Sequence, residues 1–338
     1  MSYKNKVKKL ISKELNVKNV VLFSSCRNAF YFLIKSLNLG FNDEVIIQKF
    51  ICDSLPIAVK QAGAKSILVE VNKDTFNLDI EKVKSNINEN TKAIFFVHTY
   101  GNSIGINEIK KLCQEKGILL IEDIAHAYGS SLNGVKAGTF GDYAVYSFTK
   151  QMVNFGGGAL ISNKDVSNVV ELRDSMKVGA GLFVYLKRFM ASLYETRAFF
   201  VSKLLIDFVS GSDDLKLTNV LDKHNHCIGI EAFFAYMQLK NIKKVIEKKK
   251  QNYLMLRGKV KTQRMGENSS FNYLSFFFDN KDLRDDAISN SFLFLPVWKN
   301  SVISDNLAFV PNSVDFSRKK LKKFVNFFNK YNKKGSLK

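Results

Sequence analysis

Side chains that could do chemistry concentrate at the ends of two short apolar runs. Asp123 and His126 follow the run at 118–121, and Ser147 and Lys150 lie at the end of the run at 143–147 and just beyond it. A buried acid needs a cationic partner, and a protonated pyridine nitrogen is such a partner. A lysine offers an amine for a Schiff base, and a serine offers a hydroxyl for a phosphate. Asp123, Ser147 and Lys150 together therefore predict a pyridoxal 5'-phosphate site.

Each of these residues also has an ordinary explanation. Taken alone, Asp123 fits a helix N-cap or a salt-bridge partner, and Lys150 fits a solvated surface lysine. The order and spacing of the residues favour the cofactor site. A further segment, Ser25-Cys26-Arg27, lies between the first predicted strand and its helix. Main-chain amides and the helix dipole at such a junction suit a phosphate.

Alternating strands and helices must position these residues. Short apolar runs rich in β-branched or aromatic residues predict strands at 20–23, 44–47, 66–69, 93–97, 118–121, 143–147 and 159–162, the last two flanking a turn at glycines 156–158. Apolar spacing of three to four residues predicts helices at 28–37, 54–61, 79–85 and 107–116, with Asp79 and Asn107 as N-caps. This alternation predicts an α/β fold with a three-layer, mostly parallel sheet, whose ligands bind at the carboxyl ends of the strands.

The second half of the chain predicts a smaller unit. Helical, aromatic and basic sequence runs from 167 to about 221, and a single helix is predicted over 231–250. Strands at 273–278 and 292–297 precede a final helix near 317–331. We therefore expect a large domain over 1–221, with its basic helical stretch at about 175–215, and a small C-terminal α/β domain over 222–338.

Five ordered segments between about residues 23 and 163 carry a family resemblance. They are SSCRNAFYFLIKSL, NDEVII, QAGAKSILVEVNKDTFNLD, FVHTYGNSIGINEI and LLIEDIAHAYGSSLNGVKAGTFGDYAVYSF. In this order they resemble the conserved blocks of the pyridoxal-phosphate-dependent sugar aminotransferases of the DegT/DnrJ/EryC1/StrS family. The resemblance implies the aspartate-aminotransferase-like fold type I for the large domain.

The resemblance also implies a role for each candidate residue. Lys150 would hold the cofactor as a Schiff base and shuttle protons. Asp123 would hold the proton of the pyridine nitrogen, and His126 would lie beside the phenolic oxygen of the ring. The phosphate would be held by Ser147 and by the turn that contains Ser25, Cys26 and Arg27. Cys52 stands where many members place an aromatic residue, and His98 and Tyr100 match a family block without an assigned chemical step.

Composition limits the other classes. A chain of 338 residues with 46% hydrophobic residues and only 3 prolines suits a globular protein of about two domains and excludes disordered and collagen-like classes. With 51 Lys+Arg against 31 Asp+Glu, the net charge of +20 favours an anionic ligand. The lysines are scattered, without one motif that combines them with stacking aromatics, so no nucleic-acid partner is predicted.

The segment MSYKNKVKKL lacks the apolar core of a secretory signal, and no long uncharged apolar run appears, so we expect a cytoplasmic protein. Cys26, Cys52, Cys113 and Cys227 form no C-x-x-C pair and are predicted to be buried free thiols. His224 and His226 have no further ligands at a suitable spacing, so no metal site is predicted. The aromatic, basic stretch at 183–208 leaves two explanations open: peripheral membrane contact, or packing at a domain junction or dimer interface.

The sequence therefore predicts a transaminase that uses pyridoxal phosphate. Its expected reaction moves an amino group from an amino acid, with L-glutamate as the expected donor, to a nucleotide-linked keto sugar in the biosynthesis of surface polysaccharide or a related glycan. A homodimer is implied by the family resemblance. One alternative is another pyridoxal-phosphate reaction, such as transamination of a non-nucleotide ketone or sugar dehydration; the dehydratase branch has histidine in place of Lys150. Another is an inactive scaffold or binding subunit of a polysaccharide-assembly system.

Overall fold

A seven-stranded sheet forms the centre of the first part of the chain. The computed structural model describes residues 1–151, 153–175, 226–279, 281–289, 295–296, 307–312 and 318–335. The strands of the sheet are β1 (Asn19–Phe23), β2 (Glu44–Gln48), β3 (Lys65–Val69), β4 (Thr91–Val97), β5 (Leu119–Asp123), β8 (Tyr143–Ser147) and β9 (Gly158–Ser162), and a small separate hairpin contains β6 (Ser131–Leu132) and β7 (Val135–Lys136).

The spatial order of the large sheet is β1-β9-β8-β5-β4-β2-β3. The four pairs from β8 to β3 are parallel, whereas β9 runs antiparallel to both β1 and β8. The predicted turn at glycines 156–158 is confirmed, because it joins β8 to its antiparallel neighbour β9. The mostly parallel α/β sheet is also confirmed.

Helices cover both faces of this sheet. They are α1 (Tyr3–Leu15), α2 (Cys26–Ser36), α3 (Ser54–Ala62), α4 (Ile80–Asn86), α5 (Ile106–Lys116), α6 (Ser167–Ser175) and α7 (Gly229–Leu239). Side chains alternate between the faces along each strand: Val21 packs with α2 and α3, whereas Val20 and Leu22 pack with α1 and α7. The result is the predicted three-layer arrangement.

Two local predictions are wrong. The helix predicted over 231–250 is two helices, α7 and α8 (Ile242–Leu256), because Asn241 leaves the helical conformation with φ −109° and ψ 6°. Asn107 is not an N-cap, since α5 begins one residue earlier, after Gly105 with φ 95°. Asp79 is an N-cap as predicted, and its side chain accepts from the amides of Glu81 and Lys82.

A second, smaller sheet forms in the C-terminal part. Its strands β10 (Tyr273–Phe277), β11 (Leu295–Pro296) and β12 (Leu307–Pro311) pair antiparallel in the order β10-β12-β11. The helices around it are α8, α9 (Lys281–Ser289) and α10 (Arg318–Gly335). An apolar cluster that includes Leu256, Phe276 and Phe328 joins this sheet to α8 and α10.

The domain division between 221 and 222 stays a prediction. In the structure α7 packs on α1, with the rings of Tyr3 and Phe233 5.0 Å apart. The stretch at 183–208, and most of the strand predicted at 292–297, lie outside the described residues. Among the helices that are described, none is both long and apolar enough to cross a membrane.

The cysteine prediction is partly wrong. All four cysteines are free thiols, and Cys113 and Cys227 are buried. Cys52 is exposed and Cys26 is half-buried, because both lie at the mouth of a cavity on the sheet edge.

Candidate active site

A cavity of about 300 Å³ opens at the carboxyl ends of the parallel strands. Val97, Asp123 and Ser147, the last residues of β4, β5 and β8, all line it. This is the edge at which an open parallel sheet binds ligands. The structure brings every predicted site residue to this one cavity: Ser25, Cys26, Arg27, Asp123, His126, Ser147 and Lys150.

One wall of the cavity is the N-terminus of α2. Ser25 is its N-cap, and the Ser25 Oγ accepts a hydrogen bond from the Asn28 amide at 3.2 Å. The amides of Cys26 and Arg27 lie in the first turn of the helix, before its first internal hydrogen bond, which is where helices bind anions. Gly158 lets β9 approach this turn, because a Cβ there would lie only 2.5 Å from the Cys26 nitrogen.

Two hydroxyls stand beside this turn. The Ser147 Oγ lies 3.1 Å from the Thr149 Oγ1, and both residues line the cavity. The sequence predicted Ser147 and missed Thr149. Together with the helix N-terminus they form a polar end of the cavity with the donors that a phosphate needs.

Asp123 supplies a buried acid. Its side chain is almost completely buried, and its Oδ1 accepts a hydrogen bond from the Ala125 amide at 2.8 Å. Burial raises the pKa of Asp123 to about 6, although the hydrogen bond from the Ala125 amide and the nearby His98 and Lys150 oppose that rise. A cation placed in the cavity would stabilise the carboxylate further.

His126 lies next to this acid and is uncharged at neutral pH. Burial, and then the charges of Lys150 and Lys249, hold the pKa of His126 well below its usual range. Its ring is 5.2 Å from the ring of Tyr273 and 5.8 Å from that of Tyr100. The hydroxyl of Ser270 donates to the main-chain carbonyl of His126. The imidazole is therefore neutral and packs against two tyrosine rings.

The Cys26 thiol at the cavity is not an activated nucleophile. Burial, and then the charge of Asp123, raises the pKa of the Cys26 thiol well above its usual value. A neutral thiol beside an anion site avoids charge repulsion. Cys52 also lines the cavity, with its sulfur 3.0 Å from the Ser54 Oγ, so no aromatic ring comes from this position.

Behind Asp123, the neighbouring Glu122 is fully buried and fully hydrogen-bonded. It accepts from the amides of Gly138, Phe140 and Gly141 at 2.7 to 2.8 Å and lies 2.9 Å from the His98 Nε2. His98, to which sequence reasoning assigned no chemical step, thus supports the strand ends rather than lining the cavity. This network fixes the carboxyl end of β5, and with it Asp123.

The arrangement fits pyridoxal phosphate. An anion-binding turn that a Cβ at Gly158 would close, a buried acid whose charge needs a cation, and a lysine meet in one cavity. The turn suits the phosphate of the cofactor, the acid suits its basic ring nitrogen, and the lysine suits its aldehyde. Apart from Thr149, the cavity residues that the sequence did not single out are ordinary small or apolar side chains with no spacing signal: Ser24, Ile51, Ser54, Leu55, Val97 and Ala125.

The fold matches the solved structures of an aminotransferase and of a sugar dehydratase. A structure of Helicobacter pylori PseC, described as an aminotransferase involved in the biosynthesis of pseudoaminic acid, superposes with a TM-score of 0.77 at 16% identity, covering 99% of this chain and 92% of that one. The E. coli GDP-4-keto-6-deoxy-D-mannose-3-dehydratase with bound hydrated PLP gives a TM-score of 0.74 at 18% identity, covering 97% and 92%.

The chain belongs to the DegT/DnrJ/EryC1/StrS aminotransferase family, whose sequence profile matches residues 2–176. A GDP-perosamine synthase from Vibrio cholerae is 36% identical over 154 residues, which cover 45% of this chain and 42% of that protein. This chain therefore matches less than half the length of that curated relative.

Proposed function

We propose that the protein is a pyridoxal-phosphate-dependent transaminase that moves an amino group from an amino acid to a nucleotide-linked keto sugar. The observation that carries the proposal is the single cavity that joins Lys150, Asp123 and the N-terminus of α2. The presence of Lys150 supports transamination over sugar dehydration, since the dehydratase branch of the family has histidine at this position.

Each cavity residue has a proposed task. The amides of Cys26 and Arg27, with the hydroxyls of Ser25 and Ser147, bind the phosphate. Asp123 binds the protonated ring nitrogen, so the carboxylate stays ionised when the site is filled. When bound, the cofactor supplies an electron sink for transfer of an amino group.

Lys150 and His126 complete the site. Nζ of Lys150 would hold the cofactor; once the amine of the donor replaces it there, the freed Nζ would take the proton from the donor's α-carbon and later return one to the carbon that receives the amino group. Neutral His126 would offer a hydrogen bond to the phenolic oxygen of the cofactor ring. The cavity walls Ile51, Leu55 and Val97 exclude water from the reacting atoms.

Charge and kinship support the substrate class. A net charge of +20 attracts an anionic substrate such as a nucleotide-linked sugar. The name of the relative GDP-perosamine synthase refers to a nucleotide-linked amino sugar. We propose L-glutamate as the donor and surface polysaccharide or a related glycan as the destination.

We also propose a cytoplasmic homodimer. On α7 the apolar side chains of Ile230, Phe233 and Met237 are 46%, 37% and 48% exposed, which supports contact with another protein surface. Peripheral membrane contact through the stretch at 183–208 stays a prediction.

The test is a product assay. Purified protein with pyridoxal phosphate and L-glutamate is incubated with GDP-linked and dTDP-linked keto sugars, and 2-oxoglutarate and amino sugar are measured by mass spectrometry. We expect both products, and neither with Lys150→Ala. Turnover only with non-nucleotide ketones would overturn the substrate class. No 2-oxoglutarate from any acceptor would overturn the transaminase proposal in favour of a scaffold.

A further inference from the structure

A second lysine is buried behind the cavity. Lys249 lies on α8 with 3% of its surface exposed, and its Nζ donates to the Oδ1 of Asn272 at 2.7 Å. Among the ion pairs found in the part of the chain that the structure describes, none includes Lys249. A buried ammonium with one uncharged acceptor is costly, and an apolar side chain would be cheaper there.

Asn272 connects this ammonium to Lys150. Its Nδ2 donates to the main-chain carbonyl of Lys150 at 3.2 Å, and its own amide donates to the carbonyl of Tyr100 at 2.9 Å. The residue thus joins the segments that follow β8 and β4.

Hydrogen bonds at both ends set the orientation of the Asn272 amide, because the Lys150 carbonyl only accepts and must face the NH₂ group. An ammonium only donates, so it must face Oδ1, and the NH₂ group is then directed at the Lys150 carbonyl. A neutral amine both donates and accepts, so in that state Lys249 no longer adds to the constraint that the Lys150 carbonyl imposes. Burial lowers the pKa of Lys249 to about 7.

We propose that Lys249, acting through Asn272, is a positioning residue for Lys150. The inference rests on the proposed function, because it assumes that Lys150 is the reacting amine. The ammonium of Lys249 fixes the Asn272 amide, and the amide holds the main chain that carries Lys150.

The groups that face Lys249 allow a clean pH readout. His126, after β5, is the titratable group whose pKa the Lys249 charge lowers, and it is already neutral at pH 7. Asn272 and Asn312 contact Lys249 through uncharged groups, the latter by donating to its main-chain carbonyl at 2.8 Å. Lys150 and Asp123, whose charges interact, are common to all variants.

The experiment compares Lys249→Met and Asn272→Asp with the matched control Asn252→Ala. Asn252 lies one turn along α8, is equally buried and donates to Asn312 at 2.9 Å; Asn312 contacts the main-chain carbonyl of Lys249 and not its ammonium. We measure kcat and KM for the L-glutamate half-reaction, their pH profiles, the pH titration of the visible band of the loaded protein, and thermal unfolding.

We expect Lys249→Met and Asn272→Asp to lower kcat about tenfold or more, with KM little changed, because the reacting amine is misplaced. In the wild type we expect kcat to fall by the same factor as the pH rises through about 7, because Lys249 then loses its proton. In Lys249→Met that pH dependence disappears and the titration of the visible band shifts. Asn252→Ala keeps wild-type kcat and profile although it is less stable.

A Lys249→Met variant with the kcat and pH profile of the wild type would overturn the inference. So would a loss of kcat in Asn252→Ala as large as that in Lys249→Met. If Lys249→Met does not fold, Asn272→Asp decides, because it keeps the volume and gives Lys249 a charged partner. A wild type with no visible band contradicts the proposed function as well, whereas a normal band with an unaffected Asn272→Asp contradicts this inference alone.

Discussion

The main-chain amide of Ala125 donates to the Oδ1 of Asp123 at 2.8 Å, within the cavity at the strand ends. The bond anchors one carboxylate oxygen, and among the described residues Oδ2 has no hydrogen-bond partner. An acid held in this way is prepared for a cation that arrives with a ligand.

The first prediction concerns this acid without its cofactor. Burial raises the pKa of Asp123 from its ordinary value of 3.8 to about 6. A carboxyl whose pKa is raised by folding stabilises the folded protein at pH values below the pKa that it has in the unfolded chain. That contribution to stability is lost as the pH rises through about 6. Asp123→Asn removes the loss, so the cofactor-free variant should be more stable than the wild type at pH 7, by about 2 to 3 kcal/mol.

Urea unfolding of cofactor-free protein at pH 4 and pH 7 measures the difference. The gain should be present at pH 7 and nearly absent at pH 4, and the exposed Asp282→Asn should show neither effect. Equal stability of Asp123→Asn and wild type at both values would mean that Asp123 is already paired in the empty protein.

A second prediction concerns Gly158, which lies against the turn at the N-terminus of α2. In Gly158→Ala the new Cβ would lie 2.5 Å from the Cys26 nitrogen and 2.6 Å from the Ser25 carbonyl carbon, both main-chain atoms that cannot turn aside. We expect cofactor affinity to fall about tenfold or more, measured by absorbance titration, with about 1 to 3 kcal/mol lost on unfolding. Gly229→Ala, where a Cβ meets nothing within 4 Å, is the control.

A third prediction separates binding from chemistry at the polar end. Ser147→Ala removes one donor to the phosphate and should raise the cofactor Kd about tenfold, while kcat at saturating cofactor stays within a few-fold of wild type. Ser85→Ala, an exposed serine on α4, should leave Kd unchanged. A collapse of kcat at saturation would give Ser147 a chemical role instead.

A fourth prediction tests the network behind the site. Glu122→Gln places an NH₂ group against main-chain amides that now donate to a carboxylate. We expect about 3 to 5 kcal/mol to be lost from the free energy of unfolding in urea. Glu81→Gln, with 74% of the Glu81 side chain exposed, should change it by less than about 1 kcal/mol. A small loss of unfolding free energy in Glu122→Gln would mean that His98 and the main-chain amides of the loop rearrange to accommodate the glutamine side chain.

The large sheet and most of the cavity could be predicted because both depend on local pattern. Short apolar runs set the strands, and residues at their carboxyl ends meet at one edge of a parallel sheet whatever the details of packing. Asp123 and Ser147 are the final residues of β5 and β8, so their convergence followed from strand order alone.

Lys249 could not be found in this way. It stands in a run of three lysines at 248–250, which is typical of a solvated helix face. Its spacing from Ile242, Tyr253 and Leu256, which are buried on α8, is the signal that would have placed it inside. The break at Asn241 was likewise hidden, because it depends on the path of α8 from the apolar cluster that Ile242 shares with α7 to the cluster of the small sheet at Leu256.

The most direct test of the account is the visible absorbance spectrum of the purified protein with pyridoxal phosphate, before and after L-glutamate, beside Lys150→Ala and the exposed control Lys84→Ala. We predict a lysine-bound cofactor band in the wild type and in Lys84→Ala that L-glutamate converts to the aminated cofactor, and no such band in Lys150→Ala. A wild-type spectrum identical to free cofactor, or a band that survives in Lys150→Ala, would contradict the account.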